Sequence, residues 1–371
     1  MRAHFGDDTG ANFGRIQGMQ IGVDSFVATA ADTRPDGTGG DVTRMQELLE
    51  QVELADQVGL DVFGIGEHHR PDFLASAPAV VLAAAAARTT RITLASAVTV
   101  LSSEDPVRVF QQFATLDLIS RGRAEIIVGR GSFIESYPLF GFDLNDYDAL
   151  FAEKLELLLK LRAETHVHWS GQHRAALTGQ GVYPRPWQSP LPVRLGVGGT
   201  PQSFVRAGTL GLPLVVAIIG GQPAQFRPMV DLYREAGRRA GHAVERLSVG
   251  VHAIGFLADT DRDAAETFWP PYRDMFSRIG RERGWPPVTR SQFDAGRSAV
   301  GALLVGEAGY VADKIIATHR ALGGIARQTI LIDNRALTHR QIMRAIELLG
   351  TRVAPQVRTV VAADPDSKVA G

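Results

Sequence analysis

The feature of this sequence that most restricts its fold is a repeated alternation of short apolar runs with segments whose apolar residues recur at helical spacing. Eight apolar runs occur, and each is followed by a segment of helical pattern. They span residues 19–28, 60–66, 91–101, 123–129, 192–199, 213–221, 246–258 and 327–333. The runs are continuously apolar, as expected for parallel strands that helices cover. Eight βα units in 371 residues predict an α/β fold, the (β/α)8 TIM barrel.

Two segments interrupt the alternation, residues 167–188 and about 285–302, and both are rich in proline, glycine or arginine. We interpret them as insertions that shape the catalytic mouth of the barrel, not as linkers. A doubly wound sheet is the rival fold, but its usual glycine-rich first turn is absent from "VDSFVATAADT" after the first run. The predicted organisation is a flexible extension over 1–18, one barrel domain over 19–360 and a flexible tail over 361–371.

Local signals predict where three helices begin or break. Ser76 is a candidate N-cap, with Pro78 in the first turn of an alanine-rich helix over 76–89. Asp105, followed by a proline, predicts the start of the next helix. The pair Pro270–Pro271 predicts a break in a long helical segment.

Composition excludes several classes of function. Lys plus Arg number 39 and Asp plus Glu number 40, so the net charge of −1 gives no reason to expect binding to nucleic acid or to an anionic membrane. The chain has no cysteine, which excludes disulfides, thiolate catalysis and cysteine-ligated metals. No apolar run reaches the roughly 18 residues of a membrane helix, and the N-terminal segment lacks the apolar core of a signal peptide. We therefore expect a cytoplasmic protein.

Polar residues follow the second apolar run. In a (β/α)8 barrel the active site lies at the carboxyl ends of the strands, so Glu67, His68 and His69 are candidate catalytic residues. The other interpretation is that they cap neighbouring backbone groups, and the triplet alone does not decide. Adjacent strand residues point to opposite faces, so His68 and His69 are not expected to share a metal ion. His166 and His168 lie in a segment typical of a solvated loop, and no metal site is predicted.

Glycines flank polar residues at two other strand ends. Arg130 lies between glycines after the fourth run, where the backbone can approach a ligand and the guanidinium can bind a phosphate. After the fifth run, "GGTPQS" places Gly198, Gly199, Thr200 and Ser203 ahead of a helix, an arrangement that suits phosphate. The simpler interpretation, a turn with Thr200 as N-cap, is compatible with this. The two strand ends predict one phosphate-bearing ligand across the mouth.

With these residues identified, the sequence resembles the luciferase-like, flavin-dependent monooxygenases, the superfamily of bacterial luciferase. The resemblance covers about residues 19–355 and rests mainly on three stretches. These are "EHH" at 67–69, the segment Asp105–Ser132 with "TLDLISRGR" at its centre, and "GVGGTPQS" at 196–203. Family members typically have SGGR or SKGR where this chain has "SRGR", a minor difference.

The resemblance implies a set of cofactor-binding residues. Arg130 matches the arginine that contacts the flavin phosphate. Gly198, Gly199, Thr200 and Ser203 match the segment that supplies backbone amides and hydroxyls to the same phosphate, and an offset of one residue leaves open which hydroxyl does so.

The resemblance also implies which residues lie near the flavin ring. His68 matches the active-site histidine near the isoalloxazine, with His69 beside it. The non-prolyl cis peptide of the family falls near Ala97–Val98, where small residues suit a backbone that lies against the ring. Bacterial luciferase has a cysteine where this chain has Gly129, so light emission is not implied.

The chemistry follows from the same resemblance. Reduced FMN reacts with dioxygen to give a flavin hydroperoxide, which oxygenates a small organic substrate. The protein binds the flavin, excludes water and supplies a proton, and a histidine with a pKa near neutrality suits the proton transfer. No second dinucleotide fingerprint is visible, so we expect a separate flavin reductase, a transient partner, to deliver the reduced FMN.

Three alternatives remain open from the sequence. Deazaflavin-dependent reductases and dehydrogenases share this barrel but transfer hydride without oxygen, and "EHH" favours FMN over them. A flavin-binding protein without catalysis is the second alternative, and the presence of both His68 and the phosphate residues argues against it. A sugar-phosphate barrel enzyme is the third, and the absence of lysine or paired carboxylates at the strand ends argues against it.

The alanine-rich helix predicts a homodimer. Its sequence "SAPAVVLAAAAART" has almost no polar face, whereas an ordinary barrel helix presents a polar stripe to water. Ala83, Ala84 and Ala87 have little side-chain bulk, and exposed apolar patches of this kind usually mark an interface. Family members commonly dimerise through their second and third barrel helices. We expect a C2 homodimer with these alanines near the interface; the rival interpretation is that insertions of the same chain cover the helix.

Overall fold

The chain folds as the predicted (β/α)8 barrel. The structure, a computed structural model, describes residues 18–29 and 38–364. Its strands are β1 (Gln20–Ser25), β2 (Val62–Ile65), β3 (Thr93–Ser96), β4 (Thr99–Val100), β5 (Ala124–Gly129), β6 (His166–Trp169), β7 (Leu177–Gly181), β8 (Val193–Val197), β9 (Leu214–Ala217), β10 (Val249–Leu257), β11 (Leu304–Gly306) and β12 (Arg327–Leu331). The parallel barrel contains β1, β2, β3, β5, β8, β9, β10 and β12, and the pairing of β12 with β1 closes it.

Helices cover the outside of this barrel. They are α1 (Thr38–Gln57), α2 (Pro78–Ala86), α3 (Pro106–Ser120), α4 (Ser136–Leu139), α5 (Tyr147–Ala163), α6 (Pro201–Thr209), α7 (Arg227–Arg239), α8 (Asp261–Arg283), α9 (Arg290–Arg297), α10 (Ala308–Ala321), α11 (His339–Leu348) and α12 (Ala354–Ala363). The main core lies between helices and strands, where side chains such as Phe63, Leu82 and Phe110 are fully buried. Burial of each such side chain contributes roughly 1.5–3 kcal/mol, so the core fixes the helices around the strands.

Two of the predicted helix starts had different outcomes. Asp105 caps α3 as predicted, because its carboxylate accepts hydrogen bonds from the backbone nitrogens of Val107 (2.8 Å) and Arg108 (3.2 Å). The prediction that Ser76 caps α2 was wrong. Pro78 occupies the first helical position, which its fixed φ favours, so Ala77 is the N-cap residue and no side chain of the described residues caps this helix.

Two predicted element boundaries were also wrong. The expected break at Pro270–Pro271 does not occur, because α8 runs unbroken across the pair. Phe268 and Tyr272, on either side of the prolines, are buried and hold both halves of the helix against the barrel. The run 91–101 is two strands, since β3 ends at Ser96 and only then does the short β4 pair with β5.

Side chains that point into the barrel form layers. At the lowest level, near the amino ends of the strands, Glu125 accepts hydrogen bonds from Arg194 and Arg327, and all three are largely buried. Their strands β5 and β12 are not neighbours in the sheet, so the side chains meet inside the barrel. The next layer is a separate small apolar cluster of Val62, Ala95, Ile127 and Val215. The lower lumen is therefore filled with side chains.

The first predicted insertion starts from the far end of the barrel, and its Arg174 reaches the mouth end of α3, where it pairs with Asp105 (2.9 Å). It forms the β6–β7 hairpin, which follows α5 and precedes β8 and so starts from the end of the barrel opposite the catalytic face. Gln111 on α3 donates a hydrogen bond to the carbonyl of Tyr183 (2.9 Å), and Glu153 on α5 accepts from the backbone nitrogens of Gln172 and His173. The hairpin therefore packs on the outer surface of α3 and α5.

The second predicted insertion, 285–302, reaches the mouth, because the backbone nitrogen of Ala302 donates to the carbonyl of Gly221 in the loop after β9 (3.1 Å). That range contains α9, which is joined to α8 by an ion pair. The C-terminal half of α8 itself contacts the strand-end loops. Arg278 pairs with Asp72 (2.6 Å), and Arg283 donates to the carbonyl of Ser132 (2.7 Å). The cover of the mouth thus includes α8.

In the described part of the chain, no helix is both long and apolar enough to cross a membrane. The predicted N-terminal extension, 1–18, lies outside the described residues except for Gly18. Of the predicted tail, 361–371, only the first four residues are described, and α12 continues into them as far as Ala363.

Candidate active site

The floor of the site is an irregular segment between β3 and β4. The peptide bond between Ala97 and Val98 is cis, at the position that the resemblance implied. Glycines on the neighbouring strands make room for this segment. A Cβ atom on Gly129 would lie 2.7 Å from the Val98 side chain, and one on Gly196 would lie 2.8 Å from it. Since larger residues would collide with Val98, the sequence of the two adjoining strands fixes the position of this backbone.

Glu67 clamps the same segment from the loop after β2. Its backbone nitrogen donates to the carbonyl of Val98 (3.2 Å), and its Oε2 accepts from the backbone nitrogen of Val100 (2.9 Å). Its Oε1 lies 2.9 Å from Nε2 of His69. Both carboxylate oxygens are therefore engaged, and the alternative predicted for the triplet, capping of neighbouring backbone, describes the contacts of Glu67.

Glu67 and His69 contact each other, whereas the side chain of His68 lies against Phe26. The hydrogen bond to Glu67 raises the pKa of His69, an effect that burial opposes and that the nearby carboxylates of Glu104 and Glu135 reinforce. His69 therefore carries a proton more readily than an ordinary histidine.

His68 lies in an aromatic cluster, which we define as Phe26, Phe73 and Phe133. Its ring centroid is 4.4 Å from that of Phe26, 4.5 Å from Phe73 and 5.4 Å from Phe133. The residue is 8% exposed, and its Nε2 is buried without a hydrogen-bond partner among the described residues. A buried polar atom without a partner is costly unless a ligand or water completes it.

The electrostatics of His68 differ from the expectation of a pKa near neutrality. Burial among aromatic rings, together with the positive charges of His69 and Arg70, lowers the pKa of His68 to about 3. The imidazole is therefore neutral at pH 7 and is not a source of an imidazolium proton. Its Nε2 can still donate or accept one hydrogen bond, depending on the tautomer.

Arg130 and Ser203 meet at the N-terminus of α6. Nη2 of Arg130 donates to Oγ of Ser203 (3.1 Å), which leaves the hydroxyl proton of Ser203 free for another acceptor. The guanidinium also pairs with Asp148, whose side chain is 74% exposed, and lies 4.9 Å from the ring centroid of Tyr147. These contacts hold Arg130 over the first turn of α6 before any ligand binds.

The backbone ahead of α6 is open. A Cβ atom built on Gly198 or Gly199 would meet nothing within 4 Å among the described residues, and both glycines are exposed. Thr200 is the N-cap residue as predicted, but its side chain makes no capping hydrogen bond. Its hydroxyl therefore remains available beside the positive end of the helix dipole.

The sequence also matches known proteins. It fits the family model of the luciferase-like monooxygenases over residues 19–324, well over half of the chain. The chain belongs to the luciferase-like monooxygenase family. It is 29% identical over 356 residues to 4-hydroxyprotoasukamycin monooxygenase of Streptomyces nodosus subsp. asukaensis, which covers 90% of this chain and 92% of that one.

Two further matches of this luciferase-like chain, one in sequence and one in fold, differ in cofactor. The F420-dependent glucose-6-phosphate dehydrogenase of Amycolatopsis mediterranei is 27% identical over 242 residues, 61% of this chain and 70% of that one. The oxygenating constituent of 3,6-diketocamphane monooxygenase of Pseudomonas putida, solved in complex with FMN, has the same fold. Its TM-score is 0.74 at 20% identity, over 92% of this chain and 99% of that one.

The luciferase-like family implies an oxidoreductase with a flavin-type cofactor, and the residues present fit the phosphate of such a group. Arg130 supplies a charged, pre-oriented donor, and Ser203 and Thr200 supply two uncommitted hydroxyl protons. Gly198 and Gly199 leave the backbone open to a ligand. Helix N-termini with such surroundings bind phosphate.

A metal ion has less support as a ligand than a flavin phosphate. No group of three or more His, Asp or Glu residues that could hold a metal ion occurs among residues 18–29 and 38–364.

Sequence reasoning did not identify Asp24 and His252, which are hydrogen-bonded inside the barrel (Oδ2 to Nδ1, 2.6 Å). The signal was present, because each is a lone titratable residue within an apolar strand.

Proposed function

We propose that this luciferase-like protein is an FMN-dependent monooxygenase that uses reduced FMN and dioxygen to oxygenate a small organic substrate. The observation that carries the proposal is the convergence of Arg130 and Ser203 at the N-terminus of α6, beside the open backbone of Gly198 and Gly199. Arg130, Ser203 and this backbone would hold the phosphate of a flavin.

The contacts of the site residues suggest a separate role for each of them in this proposed reaction. When bound, reduced FMN supplies the electrons that activate dioxygen. Arg130 and Ser203 would hold the phosphate, and Glu67 fixes the backbone at Val98 that would support the flavin ring. The aromatic cluster keeps water away from the reacting atoms. Nε2 of His68, neutral and without a hydrogen-bond partner among the described residues, positions one polar atom of the reactants by a hydrogen bond.

His69 is the better candidate for the proton. Its pKa is raised by its hydrogen bond to Glu67, whereas burial keeps the neighbouring His68 neutral. We therefore assign proton supply to the Glu67–His69 pair and positioning to His68, with both histidines kept as the candidate catalytic residues.

The second candidate function is F420-dependent hydride transfer, which the Amycolatopsis relative favours. The relative that aligns over 90% of this chain is a monooxygenase, and the F420-dependent one aligns over 61%, so we place FMN first. Equilibrium dialysis against FMN and against F420, followed by oxygen-uptake assays with reduced FMN, tests the choice. Tight F420 binding without FMN binding would overturn the proposal, and FMN binding without substrate-dependent oxygen uptake would leave only a flavin-binding role.

Replacing His68 with alanine is expected to keep FMN affinity within severalfold and to remove most product formation, because the contact with the phosphate is untouched. Oxygen consumed by the variant should appear as hydrogen peroxide. The measurement is the ratio of product to oxygen consumed, with exposed His166 replaced by alanine as the control. Coupling equal to that of the wild type would remove His68 from the catalytic list.

The partners expected from the sequence enter here as proposals. A separate flavin reductase delivers the reduced FMN as a transient partner, and adding a reductase with NADH should support turnover that FMN and NADH alone do not. The proposed location is the cytoplasm, which fractionation of expressing cells tests.

We also propose the homodimer. Val80 on α2 is 68% exposed and Ile119 on α3 is 49% exposed, and Ala84 and Ala87 are exposed as well. No described insertion covers this face, which supports an interface between two copies. The neighbouring Ala83 is half-buried.

Light scattering at micromolar concentration is expected to give twice the chain mass of 40.0 kDa. Replacing Ala84 with glutamate should shift the protein toward monomer, because a charge would be buried in an apolar interface. Glutamate at exposed Ala240, at the end of α7, is the matched control. A wild-type monomer under these conditions would show that the alanine face is not an interface.

A further inference from the structure

A carboxylate and an imidazole face each other inside the upper barrel, away from the phosphate residues. Oδ2 of Asp24 on β1 lies 2.6 Å from Nδ1 of His252 on β10, and the hydroxyl of Thr329 on β12 donates to the same oxygen. A carboxylate only accepts hydrogen bonds, so Nδ1 of His252 carries the proton and Nε2 is the free nitrogen. The carboxylate therefore fixes both the tautomer and the orientation of the ring.

The free nitrogen of His252 has no hydrogen-bond partner in the part of the chain that the structure describes. Its side chain keeps 11% of its surface exposed, whereas that of Asp24 keeps 4%, so the imidazole is the accessible member of the pair. Neither residue belongs to the phosphate site or to the Glu67–His69 pair.

The residues registered with this pair are of mixed size. Gly64 and Leu331 flank Asp24, and Ala217 and Thr329 flank His252. Gly64 is required there, because a Cβ atom would lie 2.1 Å from Oδ1 of Asp24. The ring of Phe26 lies nearly parallel to that of His252, with centroids 6.1 Å apart, and its edge contacts His68. The pair thus adjoins the aromatic cluster.

We propose that Asp24 and His252 form a proton-accepting pair that binds the substrate through a weakly acidic hydroxyl group, as in a phenol or an enol. The inference rests on the proposed monooxygenase function and names its substrate class. A flat conjugated substrate matches the aromatic surface of Phe26, and its hydroxyl then meets Nε2 of His252. His252 is the catalytic residue of the pair and Asp24 is its positioning residue.

The step balances without any further reactant. The O–H bond of the substrate breaks, an N–H bond forms at Nε2 of His252, and the electron pair stays on the substrate oxygen. The carboxylate of Asp24 balances the positive charge of the imidazolium. The resulting phenolate or enolate is more electron-rich at its ring or α-carbon, which is the form that an oxygenating reaction attacks most readily. Neutral His68 makes no comparable ion pair.

Binding of 4-nitrophenol tests the inference without turnover, because its phenol and phenolate forms differ in absorbance. At a pH below the pKa of the free probe, difference spectra of the wild-type protein, with and without FMN, should show the phenolate form bound. His252→Asn should reduce the bound phenolate by at least about tenfold, since the charge-assisted hydrogen bond is lost. Asp24→Asn should also reduce the bound phenolate, although Asp24 itself does not contact the probe, because Asp24 acts through His252.

The controls separate a chemical role from a structural one. His166→Asn in the exposed hairpin should leave the spectrum unchanged, and thermal unfolding should show that His252→Asn is folded. Probe bound only as the phenol, an unchanged phenolate signal in His252→Asn, or loss of the signal in His68→Asn instead would each overturn the inference. FMN titration of the same samples distinguishes the two proposals. Phenolate binding without FMN binding would contradict the proposed function alone. FMN binding without phenolate binding would contradict only the role of Asp24 and His252.

Discussion

Replacing Glu125 with alanine is expected to lower the free energy of unfolding by about 3–5 kcal/mol, because the change leaves buried positive charges without their counter-ion. Glu125 accepts from Nε of Arg194 (2.8 Å) and from Nη2 of Arg327 (3.1 Å) at the base of the lumen. The Arg194 and Arg327 side chains are 12% and 2% exposed, so water cannot replace the carboxylate without opening the barrel. Urea denaturation followed by tryptophan fluorescence measures the loss.

The control is an ion pair of similar geometry at the surface. Glu266 pairs with Arg290 at 2.8 Å, but Glu266 is 60% exposed, and solvent screens such pairs. Glu266→Ala should leave the denaturation midpoint nearly unchanged. Equal effects of the two substitutions would show that the lumen network does not hold the barrel together.

The same carboxylate makes stability depend on pH. Burial alone would raise the pKa of Glu125, but the charges and hydrogen bonds of Arg194 and Arg327 outweigh it and lower the pKa to about 2. Burial also lowers the pKa of Arg194, which nevertheless stays charged because guanidinium titrates far above neutrality. The contribution of Glu125 is therefore complete above about pH 4.5 and is lost as the pH falls toward 2. The stability difference between wild type and Glu125→Ala should shrink over that interval.

The barrel could be predicted because its strands occur in the sequence as uninterrupted apolar runs. Position along the chain, however, does not show which side chains of a run point inward. Glu125, Arg194 and Arg327 each sit in or beside such a run, and they meet only because β5, β8 and β12 face one lumen. Predicting this network would have required the register of non-adjacent strands. For the same reason the sequence did not predict that Asp24 and His252 face each other, although each is a lone titratable residue in an apolar strand.

The site shows where sequence reasoning was adequate and where it was not. The residues that the sequence assigned to one ligand, Arg130 and Ser203, do meet at the N-terminus of α6, since glycine and helix start are local features. That they bind a phosphate stays a prediction. The roles within Glu67–His69 are not local. Glu67 accepts from the backbone nitrogen of Val100 and donates to the carbonyl of Val98, both distant in the sequence. The low pKa of His68 depends on burial among Phe26, Phe73 and Phe133. Burial of a polar residue in a loop follows from packing, which the local sequence does not encode.

Replacing Arg130 with alanine is expected to weaken FMN binding by at least about tenfold, which corresponds to about 1.4 kcal/mol. The guanidinium is the charged group above the N-terminus of α6, and a hydrogen bond to a phosphate is stronger than one between neutral groups. Ser203→Ala should have a smaller effect, because its hydroxyl supplies one neutral donor. Fluorescence quenching of FMN on titration with protein gives both dissociation constants.

Riboflavin, which lacks the phosphate, provides the matched ligand for this variant. If Arg130 acts on the phosphate, Arg130→Ala should weaken FMN binding and leave riboflavin binding unchanged, so the two ligands should bind the variant almost equally well. Asp148→Asn offers a second control, because it removes the ion-pair partner of Arg130 while keeping the guanidinium over Tyr147. Since Asp148 is exposed and competes with the phosphate for the same donor, its loss should not weaken FMN binding. An equal loss for FMN and riboflavin in Arg130→Ala would place the arginine against the ring or in the fold, and unchanged FMN affinity would move the phosphate site away from α6 altogether.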